Sequence, residues 1–400
     1  LTGGSTNDTV TFAAQATGSK IDLGDGNDTL VLGDFANTVT VSNVETITGG
    51  SAGDIVTFAV EVENTIVDLG AGSDKLILDA TGATVTVANI ETVTGGGAAD
   101  LVTLAAQATG ATIDLAGGND RLVLGAYDNT LTVSNVETIT GGASSDTVTL
   151  GAQTTSGRID LAGGSDTLVL GAFVNTVTVS NIETVTGGST NDLVTLGAQA
   201  TGATIDLGAG LDRMVLGAFV NTVTVSNAET ITGGSTNDTV TLGAQSTGTI
   251  IDLAAGNDTL VLGAFVNTVT VTNIETIIGG STNDAVIFSV AVTGGRVDLG
   301  AGLDTLTFAA GGATVTVAGI ETVTGSAADD LVTLGGQATG SILDLAGGND
   351  TLVLGAFVNT VTVSNLETVT GGASADTVTL ATQATGMVVD LAGGADTLVL

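Results

Sequence analysis

The sequence predicts an all-β parallel β-solenoid, in which short strands stack on their own copies in successive coils. Three observations indicate this fold class: a strict internal period of 46 residues, short segments that alternate apolar and polar residues, and turns rich in Gly and Asp. No segment shows the 3.6-residue periodicity of an amphipathic helix, so we expect no helical layer.

The acidic residues mark the period. Glu recurs at every 46th position from Glu45 to Glu367, and three Asp columns that begin at Asp8, Asp22 and Asp28 recur at the same interval. These four columns hold 35 of the 42 acidic residues, so the acidity belongs to the repeat. The spacing between the Asp8 and Asp28 columns alternates between 20 and 26 residues. We therefore predict two coils per repeat, the longer of which carries an extra segment such as residues 44–48.

The period also sets the expected domain organisation. All of residues 1–400 follow it without insertions, so we predict one continuous solenoid array of about 8.7 repeats. The chain begins and ends within a repeat and shows no capping element, although solenoids need caps. We therefore expect a fragment of a longer repeat protein.

The strands are expected to be three to five residues long. In the first of them, Val10 and Phe12 fall on one face and Thr9 and Thr11 on the other. Coils stacked about 4.8 Å apart would join the apolar faces into a thin continuous core. Aromatic side chains that share one corner position are predicted to close one end of this core: Phe35, Tyr127, Phe173, Phe219, Phe265 and Phe357.

Composition excludes several classes of function. The chain has no His and no Cys, which removes most nucleophiles, general bases and transition-metal ligands. A net charge of −36 and an aromatic content of 2% argue against a nucleic-acid partner. No apolar run reaches the length of a membrane span, so we expect no membrane insertion. Paired carboxylates can cleave glycosides, but here every carboxylate has many equivalents, and we predict that the protein is not an enzyme.

The Gly-Asp turns raise an electrostatic problem. Stacked coils would place Asp carboxylates about 5 Å apart, where two unit charges repel by roughly 3 kcal/mol at an effective dielectric constant near 20. Calcium would relieve this repulsion, because it takes carboxylate and backbone carbonyl oxygens as ligands. The alternative is that each Asp only caps its turn through a side-chain-to-backbone hydrogen bond.

One turn resembles a known family. Residues 70–78, GAGSDKLIL, are similar to the nonapeptide of the RTX calcium-binding repeat proteins, some of which occur in bacterial S-layers and surface filaments. The resemblance implies a parallel β-roll with Ca²⁺ between the turns of successive coils, and type I secretion from a Gram-negative bacterium to the cell surface. It also implies a ligand set of Gly-turn carbonyls and eighteen carboxylates: Asp8, Asp28, Asp54, Asp74, Asp100, Asp120, Asp146, Asp166, Asp192, Asp212, Asp238, Asp258, Asp284, Asp304, Asp330, Asp350, Asp376 and Asp396.

Two further acidic columns have open roles. The Asp22 column lies between apolar neighbours in a strand, so its side chains should point outward, recurring every second coil about 10 Å apart. They are either solvated or take part in a weaker cation site or a lateral contact. The Glu45 column precedes a Thr in every copy. It is expected to make a corner hydrogen bond, or else to bind a cation.

The predicted function is structural. Insertion-free repetition, acidity and the RTX-like turns favour a component of a bacterial extracellular surface layer, sheath or filament that self-associates into a lattice and is stabilised by calcium. One alternative is the repeat spacer of a large secreted RTX adhesin. Another is an ice-binding solenoid, suggested by Thr pairs such as Thr38 and Thr40, although strands that read TLVL or TIDL interrupt the threonine file.

Overall fold

The computed structural model describes residues 1–382 and 385–400, and it divides into two compact units, Leu1–Ala198 and Gln199–Leu400. Every regular element in the described residues is a β-strand. Accordingly, this part of the chain contains no helix of the length and apolarity needed to cross a membrane. The single continuous array over residues 1–400 stays a prediction.

In the described residues each unit contains 22 short strands. The first unit holds β1 Thr2–Gly4, β2 Thr9–Thr11, β3 Thr17–Gly24, β4 Thr29–Val31, β5 Thr38–Ser42, β6 Thr46–Gly50, β7 Ile55–Phe58, β8 Val62–Gly70, β9 Lys75–Ile77, β10 Ala83–Ala88, β11 Thr92–Thr94, β12 Leu101–Leu104, β13 Thr109–Asp114, β14 Arg121–Val123, β15 Thr130–Ser134, β16 Thr138–Thr140, β17 Thr147–Leu150, β18 Gly157–Asp160, β19 Thr167–Val169, β20 Thr176–Ser180, β21 Thr184–Gly188 and β22 Leu193–Leu196. The second holds β23 Thr201–Gly208, β24 Arg213–Val215, β25 Thr222–Ser226, β26 Thr230–Thr232, β27 Thr239–Leu242, β28 Thr247–Asp252, β29 Thr259–Val261, β30 Thr268–Thr272, β31 Thr276–Gly280, β32 Ala285–Phe288, β33 Val292–Gly300, β34 Thr305–Phe308, β35 Ala313–Ala318, β36 Thr322–Thr324, β37 Leu331–Leu334, β38 Thr339–Asp344, β39 Thr351–Val353, β40 Thr360–Ser364, β41 Thr368–Thr370, β42 Thr377–Leu380, β43 Val388–Asp390 and β44 Thr397–Val399.

In each unit the strands form two parallel sheets. Each odd-numbered strand pairs with the next odd-numbered strand, as β15 pairs with β17, and each even-numbered strand pairs with the next even-numbered one, as β20 pairs with β22. We call these the odd sheet and the even sheet. One strand of each sheet makes one coil, so a unit has eleven coils. The predicted parallel β-solenoid is confirmed.

The division of the repeat into coils differs from the prediction. Five strands, β17 to β21, precede the next equivalent strand, β22, which starts 46 residues after β17. Five strands at two per coil make two and a half coils, not two. Residues 44–48 are no extension of a long coil, because Thr46–Gly50 forms a strand of its own with Ile47 fully buried. Paired positions are accordingly 17 or 20 residues apart, as in Thr132↔Thr149 and Thr149↔Val169, or 21 apart next to a β-bulge, as in Thr109↔Thr130.

The half coil moves successive repeats to opposite sides of the solenoid. The pentapeptide TVTVS occurs at Thr38–Ser42 in the odd sheet and at Thr176–Ser180 in the even sheet, three repeats later. Equivalent residues therefore return to the same side only after 92 residues, which is five coils. The Asp22 column follows this rule, so its members do not lie in every second coil as predicted.

The core lies between the two sheets of each unit. Except in the terminal strands, the inward residues are mostly Val, Ile or Leu, and they are almost fully buried. The aromatic corner residues do not close this core, contrary to the prediction. Phe35, Tyr127, Phe173, Phe219, Phe265 and Phe357 are all 36–41% exposed. The reason is that the corner turns outward at a glycine with positive φ, such as Gly171 at 72°.

Candidate functional site

Most corners of the solenoid end in an Asn, Asp or Glu immediately before a strand. In the odd sheet of the first unit, β13, β15, β17, β19 and β21 are preceded by Ala108, Asn129, Asp146, Asp166 and Glu183. These residues belong to five successive coils on one edge. We call this file of side chains the corner ladder.

The corner ladder is held by hydrogen bonds from each coil to the next. The Ala108 N–H donates to Asn129 Oδ1 (2.9 Å), and the Asn129 N–H and Nδ2 both donate to Asp146 Oδ1 (3.1 and 2.9 Å). The Asp146 N–H donates to Asp166 Oδ1 (2.7 Å), and the Asp166 N–H donates to Glu183 Oε2 (2.8 Å). Each side chain thus accepts the backbone N–H of the corner in the preceding coil.

The second unit repeats this arrangement. Ser246, Asn267, Asp284, Asp304 and Glu321 precede β28, β30, β32, β34 and β36 of its even sheet. The four links from backbone N–H to side-chain oxygen measure 3.0, 2.9, 2.6 and 2.8 Å in that order. The ladder is therefore a property of the repeat and occurs on edges of both units.

The eighteen Asp residues predicted as calcium ligands are the third and fourth members of these ladders. Sixteen of them are at most 2% exposed, whereas Asp8 and Asp396 are half-buried. Members of the Asp8 and Asp28 columns lie in adjacent coils, as the 2.6 Å hydrogen bond from the Asp54 N–H to Asp74 Oδ1 shows. These carboxylates accept backbone N–H groups of the adjacent coil, and the alternative that they only cap turns stays a prediction. Their metal-ligand role stays a prediction.

One oxygen of the fourth ladder member has no partner. Among the described residues, Oδ2 is buried and accepts no hydrogen bond at Asp28, Asp74, Asp120, Asp166, Asp258, Asp304 and Asp350. A buried charged oxygen without a donor is unfavourable unless the group is protonated or binds a cation. The third ladder members Asp54, Asp146, Asp238, Asp284 and Asp376 likewise carry a buried Oδ2 that accepts no hydrogen bond.

Burial shifts the ionisation of these carboxyls. It raises the pKa of Asp74 from 3.8 to about 6; the Asp54 backbone N–H opposes this rise, and the nearby carboxylates of Glu91 and Asp54 add to it. The same causes raise the pKa of five equivalents to about 6: Asp120, Asp166, Asp258, Asp304 and Asp350. Burial also raises the pKa of the third ladder members Asp100, Asp146 and Asp284.

The geometry sets a limit on metal binding. In residues 1–382 and 385–400, no three His, Cys, Asp or Glu side chains come close enough together to hold a metal ion. Calcium takes six to eight oxygens, so a site here would need one or two carboxylates supplemented by backbone carbonyls and water. Carboxylate and carbonyl oxygens are the right kind of donor, and the unpartnered Asp oxygens fit a cation.

The Glu45 column has the predicted corner hydrogen-bond role. Glu45 Oε2 accepts the Asp28 N–H at 2.6 Å, and the Glu45 N–H donates to the Asp28 carbonyl at 3.2 Å. Glu is needed here because this corner has only three residues, so a longer side chain must reach back one coil.

The Asp22 column has a partner that the sequence reasoning missed. Asn43 Nδ2 donates to Asp22 Oδ1 at 2.7 Å, and Asn43 itself adopts a left-handed φ of 51°. Asn43 belongs to the three-residue corner of the next coil, and its hydrogen bond to Asp22 holds that corner in place. Asn is suited to this position because it tolerates the left-handed conformation. Asn recurs two residues before each member of the Glu45 column except Glu321, where Gly319 takes its place, and this recurrence was the available signal.

The Asn37 column was also missed as a site residue. Asn37 is 1% exposed and donates from Nδ2 to the carbonyls of Leu32 and Phe35 and to Asp54 Oδ1. Its amide group therefore donates hydrogen bonds to backbone carbonyls of the six-residue corner, residues 32–37, from the core side. Ala83 and Ala313 take its place in two repeats, where the corner sequence also changes.

Comparisons with known proteins give little support for a family. No protein-family model matches the chain, and no curated protein does. Three chains of solved structures match. One is a hyperactive, Ca²⁺-dependent, β-helical antifreeze protein from an Antarctic bacterium, with 16% identity over 92% of this chain and 84% of that chain. Its TM-score is 0.13, too low to support an inference about this protein.

Proposed function

We propose that this protein is a structural repeat element of a bacterial extracellular surface layer, sheath or filament. The observation that carries the proposal is the corner ladder, which occurs in both units and ties each coil to the next by side-chain hydrogen bonds in addition to the sheets. Such a ladder stiffens a stack of coils and supplies no unique reactive group.

The surface recesses support the same reading. Recesses of 180, 220 and 140 Å³ lie beside Glu91, Glu275 and Glu367, which are equivalent positions of the repeat. An active site is normally a single concave site that combines convergent polar groups. A recess that recurs with the repeat favours a structural protein over an enzyme, and we propose no catalytic activity.

We further propose that calcium stabilises the ladder. The unpartnered Oδ2 atoms of the Asp28 column, exemplified by Asp74, would supply carboxylate ligands, and carbonyls of the Gly-rich turns would complete the shell. Calcium would then offset the charge that burial leaves uncompensated. Secretion to the cell surface is consistent with such a site, because calcium is plentiful outside cells.

This proposal predicts a metal-dependent unfolding transition. In millimolar calcium the midpoint of thermal unfolding is expected to exceed that in excess chelator, by the stabilisation that a ligand gives when it binds only the folded state. Circular dichroism measures both melts, with magnesium as the control cation. Replacing Asp258, Asp304 and Asp350 with Asn should reduce the calcium effect. Equal midpoints in calcium and chelator would contradict calcium binding and leave these Asp residues as corner caps.

A spacer of a secreted adhesin is a related structural role. It uses the same stiff solenoid, but it places the binding activity in a different domain. A surface-layer protein self-associates, whereas a spacer stays monomeric at high concentration, so sedimentation analysis distinguishes the two.

The sheet faces favour a second function, binding to ice. On the odd sheet of the first unit, β15, β17, β19 and β21 each point two side chains outward. These side chains align from strand to strand in two rows, which we call ranks. Seven of the eight positions are Thr: Thr130, Thr132, Thr147, Thr149, Thr167, Thr184 and Thr186, with Val169 as the eighth. The predicted interruption by TLVL falls within these ranks, at Val169 of β19. The TIDL strand β13 continues the second rank with Thr112, and its Asp114 lies opposite Ser134, outside both ranks.

Ice binding predicts thermal hysteresis in the purified protein. If these ranks bind ice, replacing Thr147 and Thr149 with Lys should abolish the hysteresis, because the larger charged side chains break the flat surface. The matched control places Lys at Ala126 and Ala143, two exposed corner residues of the same unit that lie outside the sheet faces. A wild-type protein without hysteresis would exclude this second function.

A further inference from the structure

Two arginines lie close together on the even sheet of the first unit. Arg121 in β14 and Arg158 in β18 both pair with Thr138 of β16, which runs between them. Both arginines are exposed, whereas their neighbours Leu122 and Ile159 point into the core. With one strand spacing on either side of Thr138, the two arginine Cα atoms lie about 10 Å apart. We call Arg121 and Arg158 the arginine pair.

The arginine pair is unusual in so acidic a chain. The sequence has only six Lys and Arg residues against 42 Asp and Glu residues. All six occupy two positions of the 46-residue repeat, with Lys75, Arg121 and Arg213 at one and Lys20, Arg158 and Arg296 at the other. Among the described strands, both positions are basic on either side of a shared Thr at the arginine pair alone. The pair therefore places two positive charges side by side.

The arginine pair has no carboxylate partner. In the part of the chain that the structure describes, the one ion pair joins Arg296 Nη2 to Asp298 Oδ2 at 3.3 Å. Arg296 and Arg158 occupy the same repeat position, and Asp160 is the equivalent of Asp298. Asp160, however, accepts a hydrogen bond from Asn181 Nδ2 at 2.8 Å, whereas Gly replaces this Asn in the repeat of Asp298. An amide thus holds the acid beside Arg158, and both guanidinium groups are left for another partner.

A doubly charged tetrahedral anion fits this arrangement. The planar guanidinium group binds two phosphate oxygens at once, and two such groups carry two positive charges. A phosphate monoester matches them, because its second pKa of about 6 gives it a charge of about −1.5 to −2 at pH 7. The hydroxyl of Thr138 lies between the two arginines and can donate to a further oxygen. A carboxylate, with one charge and two oxygens, would leave one guanidinium group without a partner.

We propose that the arginine pair and Thr138 bind a phosphate monoester group of a larger molecule. The guanidinium groups bind the phosphate from two sides and the Thr hydroxyl binds it from the sheet. The ester oxygen is then directed away from the protein, where the open sheet face leaves room for the rest of the ligand. This site is independent of the proposed surface-layer function and of calcium binding at the corner ladder.

Nearby acids limit the strength of the site. Asp120 and Glu137 directly precede β14 and β16, and Asp160 follows Arg158 by two residues. Each of these carboxyls accepts a hydrogen bond: Asp120 from the Asp100 N–H at 2.7 Å, Glu137 from the Asp120 N–H at 2.7 Å, and Asp160 from Asn181. Their charge still opposes an anion, so we expect a dissociation constant on the order of 1 mM.

Arginine side-chain signals in a ¹H–¹⁵N correlation spectrum test this site directly, since the chain has only four arginines. The full chain is titrated with glucose 1-phosphate at about pH 7, in chelator so that calcium phosphate does not form. The Nε–H signals of Arg121 and Arg158 should shift together along one saturating curve. Those of Arg213 and Arg296 should move little, and acetate at the same ionic strength should give no saturating shift.

Single substitutions to Thr assign the signals and test the pair. Thr already occupies the equivalent positions Thr167 and Thr112, so Arg121→Thr and Arg158→Thr both fit the repeat. Each should weaken binding of glucose 1-phosphate by about tenfold or more, because each removes charge-assisted hydrogen bonds. Circular dichroism melts establish that both variants fold.

The second unit offers a matched control and a gain of function. Arg213 is the equivalent of Arg121, but across Thr230 it faces Ile250. Arg213→Thr should therefore leave glucose 1-phosphate binding unchanged. Ile250→Arg should create a second arginine pair, and the signal of Arg213 should then shift with saturation as well.

Three results would overturn the proposal. Equal shifts of all four arginine signals without saturation would indicate general screening by an adventitious ion only. Unchanged binding by the Arg158→Thr variant would show that the two arginines do not act together. Saturation by inorganic phosphate but not by glucose 1-phosphate would exclude an esterified ligand and leave the free ion as the occupant.

Discussion

Replacing Gly234 with Ala is expected to lower the stability of the second unit by about 3 kcal/mol or more. An added Cβ would lie 1.8 Å from the Gly217 carbonyl oxygen and 2.6 Å from its carbon. Both belong to backbone in the preceding coil, which the pairing of β24 with β26 holds in place. The two coils must therefore separate, and neighbouring ladder hydrogen bonds would break.

The matched control is Gly347 replaced with Ala. No atom lies within 4 Å of a Cβ at this position, and Ala already occupies the equivalent Ala255 and Ala301. Its effect should fall within about 0.5 kcal/mol of wild type. Denaturant unfolding followed by circular dichroism compares the two variants. A similar small effect for both would show that the coil spacing at Gly234 is free to relax.

One repeat has already changed the Gly234 position, to Ser326. The coil before it has changed as well, since β34 extends to Phe308 and the following corner contains only Ala and Gly. There Ser326 Oγ donates to the Gly311 carbonyl at 2.9 Å. A side chain is thus accommodated where the adjacent corner has been rebuilt, which explains why the single change at Gly234 should be severe.

Acidification in the presence of chelator is expected to stabilise the protein. Burial raises the pKa of six ladder carboxyls to about 6, while the unfolded value is 3.8. The folded state therefore binds these protons more tightly than the unfolded state. The penalty is fully present above the folded pKa and is relieved as the pH falls through about 6, and the gain is complete near 3.8.

The thermal midpoint should accordingly rise by several degrees between about pH 7 and about pH 4.5. Replacing Asp258, Asp304 and Asp350 with Asn should flatten this rise, because Oδ1 can still accept the backbone N–H while the titrating group is gone. The control replaces Asp252, Asp344 and Asp390 with Asn, which removes the same formal charge from the sheet faces. A midpoint that falls on acidification, or a slope unaffected by the first variant, would contradict the prediction.

The alternation of residues was sufficient to predict the strands and their inward faces. Val, Ile and Leu at every second position of short segments bounded by Gly specify parallel stacking, since no such strand can bury its apolar face alone. The coil count failed at residues 44–48. The corner before that strand has only three residues and depends on a left-handed Asn43, so it looked like part of a longer segment.

The candidate site was predicted in position but not in environment. The Asp columns do end the Gly-rich turns, yet they are directed inward to backbone N–H groups in the adjacent coil. The sequence predicted a stack of like charges in every coil. Along one edge of the structure, each run of two Asp and one Glu is separated from the next run by two coils, whose corners mostly end in Ala, Ser or Thr and then in Asn. This order along the edge follows from the half coil, which the sequence did not predict.

The two and a half coils per repeat also bear on how the gene can change its length. TVTVS occurs in both sheets. Unequal recombination that adds or removes one 46-residue repeat would therefore move all downstream strands to the opposite sheet without creating a misfit. Length variants with odd and even numbers of copies should then be equally viable, so natural populations could differ freely in array length. A repeat of whole coils would keep every residue on its own side, so its two sides could differ chemically, whereas the half coil gives both sides the same sequence pattern.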